Sequence, residues 1–265
     1  MKRPSGFTLL EMIISIVILG ILAGMVAVFI AKPVQGYIDS TRRAQLTDMA
    51  DLALKRMALE LRTALPNSVK PIAATASSYI EFIPSIGSGR YCTDTESCTN
   101  KFTNFGTGAT DTGTFDVLGP LPSGITANSD RMIIFNTGQT GLDAYSNSNC
   151  AKLTNTTSPL TYSGASPFPY ASPSSRFFVA PSSGSVKFNC TTTAVQRISG
   201  ASNFCGITPP PSLTTATLVS ADEVICAFSY TSVSASNGLL TLRLTLTSSG
   251  ESVTLANQIH VDNLP

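Results

Sequence analysis

Residues 1–30 read MKRPSGFTLLEMIISIVILGILAGMVAVFI, and the reading of this stretch decides how the rest of the chain is organised. Lys2 and Arg3 stand before Gly6, and the apolar run 7–31 that follows carries one charge, Glu11. About 20 apolar residues at ~1.5 Å rise each cover a ~30 Å hydrocarbon core, so this run is long enough to span a bilayer as a helix. A carboxylate in such a run costs roughly 2.5–3.5 kcal/mol at the bilayer centre, which makes Glu11 a candidate functional residue. The plainer reading puts Glu11 close enough to the interface to reach water. An ordinary secretory signal has an apolar region of ~7–15 residues ending in a small-residue cleavage site. This run is longer and flows into a patterned helix without such a site. A plain uncleaved anchor fits the length but leaves Gly6 and Glu11 unexplained.

The run Gly6-Phe7-Thr8-Leu9-Leu10-Glu11, with basic residues before it and an apolar helix after it, resembles the class III signal of type IV prepilins and type II secretion pseudopilins. The resemblance implies that a prepilin peptidase cuts after Gly6 and methylates the new amino terminus of Phe7. It also implies that Glu11 pairs with the Phe7 ammonium of a neighbouring subunit in a filament. The physics agrees, because a carboxylate and an ammonium are tolerated in a low-dielectric helical bundle only when paired.

Further along, residues 59–69 (LELRTALPNSV), 79–84 (YIEFIP), 172–179 (SPSSRFFV) and 260–265 (HVDNLP) resemble the O-type minor pilins of the mannose-sensitive haemagglutinin (MSHA) pilus. This implies a minor pilin, related to the J-type pseudopilins, that helps initiate or cap pilus assembly. The implied partners are the prepilin peptidase, other major and minor pilins, the inner-membrane assembly platform and the lipid bilayer. Two alternatives stay open: an adhesin or ligand-binding tip subunit, and a type II secretion minor pseudopilin.

Outward from the opening stretch, Gly20 and Gly24 form a G-x-x-x-G continued by Ala23, Ala27 and Ala31. Small residues at this spacing let helices approach closely in a membrane, although chance in a Gly/Ala-rich span explains them equally well. Pro33 lacks an N–H and its ring meets the Phe29 carbonyl, so a kink is expected there. From 37 to 65 an amphipathic helix is predicted, with Leu46, Met49, Ala53, Met57 and Leu61 as its apolar stripe and Asp51–Lys55 as a favourable i,i+4 pair. Pro66 ends it.

The remainder reads as β and loop. Strands are expected at 78–83, 131–135, 176–180, 185–190 and 224–231. Over 239–256, Leu240, Leu242, Leu244 and Leu246 alternate with Thr241, Arg243, Thr245 and Thr247, then Ser248-Ser249-Gly250-Glu251 turns into Val253 and Leu255. That is the period-2 pattern of an antiparallel hairpin. The Ser/Thr/Gly/Asn-rich stretches 103–114 and 154–175, and Pro209-Pro210-Pro211, are expected to be loop and spacer. The fold class predicted is α+β, a long N-terminal helix packed on a C-terminal antiparallel β-rich, disulfide-containing domain. Its divisions are a leader (1–6), a transmembrane helix (7–31), its amphipathic continuation (32–66) and a periplasmic β-rich domain (67–265).

Charged residues make up 12% of the chain, about half the usual ~25%, and the net charge is +1. No overall field attracts nucleic acid, and no tryptophan is present to stack a base. Six cysteines, Cys92, Cys98, Cys150, Cys190, Cys205 and Cys226, all follow the apolar run, and an even count reads as disulfides in an oxidising compartment. Cys92–Cys98 is the expected pair and the other pairings stay open. Lys2 and Arg3 put the N-terminus on the cytoplasmic side, so the cysteines fall in the periplasm, in a single-pass inner-membrane protein that could pass into the extracellular pilus. No nucleotide-binding, hydrolase or zinc-protease motif occurs, and His260 is the only histidine. Two carboxylates, Asp94 and Glu96, are too few for calcium, which takes ~6–8 oxygens. No catalytic residue, metal or cofactor is expected.

Overall fold

The computed structural model describes residues 6–70, 78–106, 110, 112–164, 168–207, 210–234 and 236–265. Lys2, Arg3 and Pro209 lie outside the described residues, as does the side chain of Ala31.

Helix α1 (Leu9–Arg62) contains 54 residues and runs on through Pro33. At ~1.5 Å per residue it is about 80 Å long. Thr8 caps its start, and the Thr63 N–H closes its end on the Glu60 and Leu61 carbonyls. Burial divides the helix in two. Every described side chain over 9–38 is exposed, whereas Leu46, Ala50, Ala53, Leu54, Met57, Ala58 and Leu61 are buried. The predicted stripe therefore needs one correction, since Met49 is 40% exposed. At 100° per residue Met49 points roughly a quarter-turn away from the centre of the buried face, which Ala50, Leu54 and Ala58 fill instead.

Fourteen strands follow in chain order: β1 (Tyr79–Phe82), β2 (Gly87–Tyr91), β3 (Thr112–Phe115), β4 (Val117–Leu118), β5 (Arg131–Ile133), β6 (Cys150–Leu153), β7 (Leu160–Ser163), β8 (Arg176–Ala180), β9 (Val186–Cys190), β10 (Ala194–Ser199), β11 (Thr214–Ser220), β12 (Glu223–Ser234), β13 (Asn237–Ser248) and β14 (Glu251–Asp262). They form a four-stranded sheet β1-β9-β10-β11, a meander β12-β13-β14 and a seven-stranded sheet β3-β7-β6-β5-β8-β2-β4, with every named pairing antiparallel. The fold is α+β.

The β13–β14 hairpin obeys its period-2 pattern. Leu240, Leu242, Leu244 and Leu246 are all buried on one face, joined there by Ile259 and Val261. Its two-residue turn holds Ser249 at φ 49° and Gly250 at φ 86°, the doubly positive geometry that suits the right-handed strand twist. Residues 46–61 of α1 lie across this hairpin, chiefly on β14, and share one core with β1, β9 and β12. Arg43 pairs with Glu251 beside the hairpin turn, and Arg197 of β10 grips both oxygens of Glu60 at 3.0 and 2.7 Å.

A second core fills the seven-stranded sheet, with Tyr91, Phe102, Phe115, Tyr162, Phe168 and Phe177 packed edge-on or tilted against one another. The expectation that 103–114 and 154–175 are loop is corrected here. β3 begins at Thr112, and β7 sets Leu160 opposite Phe115 with both side chains buried. Disulfides join Cys92 to Cys98, Cys150 to Cys205 and Cys190 to Cys226. The last ties the end of β9 to β12, and so the four-stranded sheet to the meander.

Candidate processing and assembly site

Gly6 and Phe7 lead into α1 with nothing covering them, and Phe7 is 76% exposed. Thr8 is extended and uses Oγ1 to accept the Glu11 N–H at 3.2 Å, while the Thr8 N–H reaches a carboxylate oxygen of Glu11 at 3.5 Å. This is a capping box, two otherwise orphaned donors of the first turn satisfied reciprocally. Glu11 also sits where the partial positive charge of a helix N-terminus favours a carboxylate. The Glu11 carboxylate thus has a partner within its own chain. The reading from sequence missed this, although Thr8-Leu9-Leu10-Glu11 is the T-x-x-E signature before an apolar run.

Downstream, the shaft over 9–38 is bare. An added Cβ at Gly20 or Gly24 would meet nothing within 4 Å, so no contact within the chain calls for glycine at either position. By length and composition α1 can cross a membrane.

Where α1 ends, the four stretches quoted for the minor-pilin resemblance meet. The Leu65 N–H donates to the Ile83 carbonyl at 2.8 Å, and the Ser68 hydroxyl accepts the Ile83 N–H at 3.2 Å. The Asn67 side chain donates to the Asn263 carbonyl at 3.0 Å and to the Asn136 carbonyl at 2.9 Å. The buried Asn136 amide donates in turn to the Pro66 carbonyl at 2.7 Å, and its oxygen accepts from the Ala144 N–H at 2.9 Å. Asn263 reaches the Tyr230 hydroxyl at 2.6 Å, and the Ser172 hydroxyl donates to the Pro265 carbonyl at 3.0 Å. The helix end, the residue after β1, the segment before β8 and the C-terminal tail are therefore knotted together by polar groups, several of them buried and costly to break.

The remaining candidates have ordinary partners. Asp94 faces Lys101 at 3.6 Å, and Glu96 accepts the Thr93 N–H at 2.8 Å, bonds the Thr93 hydroxyl and lies 3.6 Å from Arg90. Those Thr93 bonds hold the Glu96 carboxyl below its usual range. His260 lies on the exposed face of β14. Among the described residues no group of three His, Cys, Asp or Glu side chains is placed to hold a metal.

Residues 1–27 match the family described as the prokaryotic N-terminal methylation motif. No curated protein and no solved structure matches the chain. The motif carries Gly6, Phe7 and Glu11 and marks the chain as type IV pilin- or pseudopilin-like.

Proposed function

We propose that this chain is a minor pilin of an MSHA-type type IV pilus, a structural subunit that helps to initiate or cap assembly. The observation that carries the reading is the methylation motif at the head of a helix whose described side chains over 9–38 are all exposed. Residues 1–6 are the leader, 7–31 the membrane span, 32–66 its continuation onto the domain and 67–265 the periplasmic part. A prepilin peptidase cuts after Gly6 and methylates Phe7. In the free subunit Glu11 caps Thr8, and in the filament its carboxylate takes the Phe7 ammonium of a neighbour. The assembly platform and the other pilins are the partners, and no catalysis is assigned.

Intact-mass and N-terminal sequencing of membrane-extracted protein tests the processing step. The mature chain is expected to begin at methylated Phe7, and any other start sinks that claim. Glu11→Ala is expected to leave membrane insertion intact and to deplete the subunit from sheared filaments. Undiminished incorporation would remove the intersubunit pairing. In cells holding both machines, deletion that stops secretion and spares pili would replace the pilus reading with the pseudopilin one.

A further inference from the structure

Arg131 opens β5, and Lys152 stands directly opposite it in β6. Register partners project on the same side of a sheet, and like charges so placed repel. Both side chains line a cavity of about 330 Å³ together with Asn128, Ser129 and Ser182. Neither forms an ion pair among the described residues. The adjacent acid, Asp130, is buried, with its two oxygens occupied by the Thr126 N–H at 2.7 Å and the Ser182 N–H at 3.2 Å. Two cations thus face one cavity without a carboxylate to pair with.

Arg131 is itself only 7% exposed. Its Nε donates to the Cys205 carbonyl at 3.2 Å and its Nη1 to the Ser129 carbonyl at 2.7 Å. Nη2 has no protein acceptor among the described residues, yet it is not one of the sealed, unpartnered atoms of the interior. Burial pushes the guanidinium pKa down and the charge of Asp130 opposes that shift. Two of its nitrogens fix the guanidinium in place and the third, Nη2, is left to donate to an oxygen of a carboxylate, sulfate or phosphate. The Cys150–Cys205 disulfide ties the acceptor that fixes Arg131 to β6, the strand that carries Lys152. The volume falls within the ~300–1,000 Å³ of small-ligand sites, more room than a bare ion fills.

We propose that Arg131 and Lys152 form a binding site for the oxyanion group of a small acidic ligand, a carboxylate, sulfate or phosphate, with Asn128, Ser129 and Ser182 lining its approach. The proposal is independent of the filament assignment. It is tested on the full chain in detergent, by calorimetric titration with sodium phosphate, sodium sulfate and sodium glucuronate against sodium chloride at equal ionic strength. Saturable binding of at least one of the three is expected, and which one responds separates a tetrahedral anion from a sugar carboxylate. Lys152→Gln is expected to weaken that binding by about tenfold or more, the worth of one charge-assisted contact. Lys152→Glu supplies Arg131 with a cross-strand carboxylate, so it should abolish binding and raise the thermal midpoint without added anion. Two results overturn the site: no saturable response to any of the three anions, or an undiminished response in both variants. The second would place the anion elsewhere on the protein.

Discussion

The two halves of α1 share a backbone and little else. Over 9–38 the helix is apolar nearly all round, Glu11, Ser15, Lys32 and Gln35 apart, and every described side chain is exposed, whereas over 46–61 it is apolar on one side and buries that side completely. In the second half even Leu52 and Leu59, each 70% exposed, stand apart from the stripe, among Asp48, Asp51, Lys55 and Arg56. The difference teaches that one helix can answer to two solvents. Where polar residues are few all round, the cover has to come from lipid or from other helices. Where they occupy one side, the chain supplies its own cover, here β13 and β14.

The sharpest way to break this contrast is to truncate one residue from each half. Leu61→Ala should cost about 2–5 kcal/mol of domain stability, because it empties a fully buried site. Ile18→Ala should leave the denaturation midpoint of the β-rich part within about 0.5 kcal/mol, as a surface change does. Equal losses in detergent unfolding curves would mean that the two halves are not independent. Next in size, Asn136→Ala should cost about 1–3 kcal/mol by leaving the Pro66 carbonyl and the Ala144 N–H unpaired in the interior. Amide exchange should show the loss around 64–70 and not over 9–38. Thr8→Ala should cost the helix start about 1 kcal/mol and speed exchange of the Glu11 amide, with no shift in the domain midpoint.

The smallest expected effect is that of acid on the docked half. The Ser249 N–H, then the Ser248 hydroxyl, hold the Asp222 carboxyl below its ordinary value against the opposing effect of burial, and nearby Arg42 adds to the lowering. The Asn100 backbone N–H and side-chain amide, with the Thr99 N–H, do the same for Asp116. A carboxylate depressed in the folded state adds stability that is complete above its unfolded pKa and lost as pH falls through the folded one. Acid titration followed by NMR should therefore loosen the β13–β14 turn and the 99–116 region below the ordinary carboxylate range.

Much of this was legible in the residues. The anchor, the hairpin and the Cys92–Cys98 pair rest on local pattern, which a single chain displays. β8 was expected at the bounds it has, because Phe177 and Val179 alternate inward within an apolar run. What was not legible depends on partners far along the chain. β2 (GSGRY) has neither apolar alternation nor β-branched residues and β3 (TGTF) has no apolar alternation, and each pairs with a distant strand whose aromatic ring, Phe177 or Tyr162, lies over its glycine. The oxyanion site was equally hidden, since nothing local aligns Arg131 with Lys152 across 21 positions. The stripe failed at Met49 for a simpler reason, that three- and four-residue steps both satisfy the pattern and only packing selects between them.

The seat of the helix on β14 also sets an order of events during synthesis. The stripe over 46–61 is made about two hundred residues before the strand that covers it, Glu251–Asp262. Contacts closed over some two hundred residues are slow to form. Until they do, the nascent chain presents Leu46, Leu54, Met57 and Leu61 as an open apolar ridge, and any product that stops before β14 keeps that ridge for good. The hairpin is thus a completion signal, and a chaperone or protease able to sense the ridge could tell finished subunits from unfinished ones without inspecting anything else.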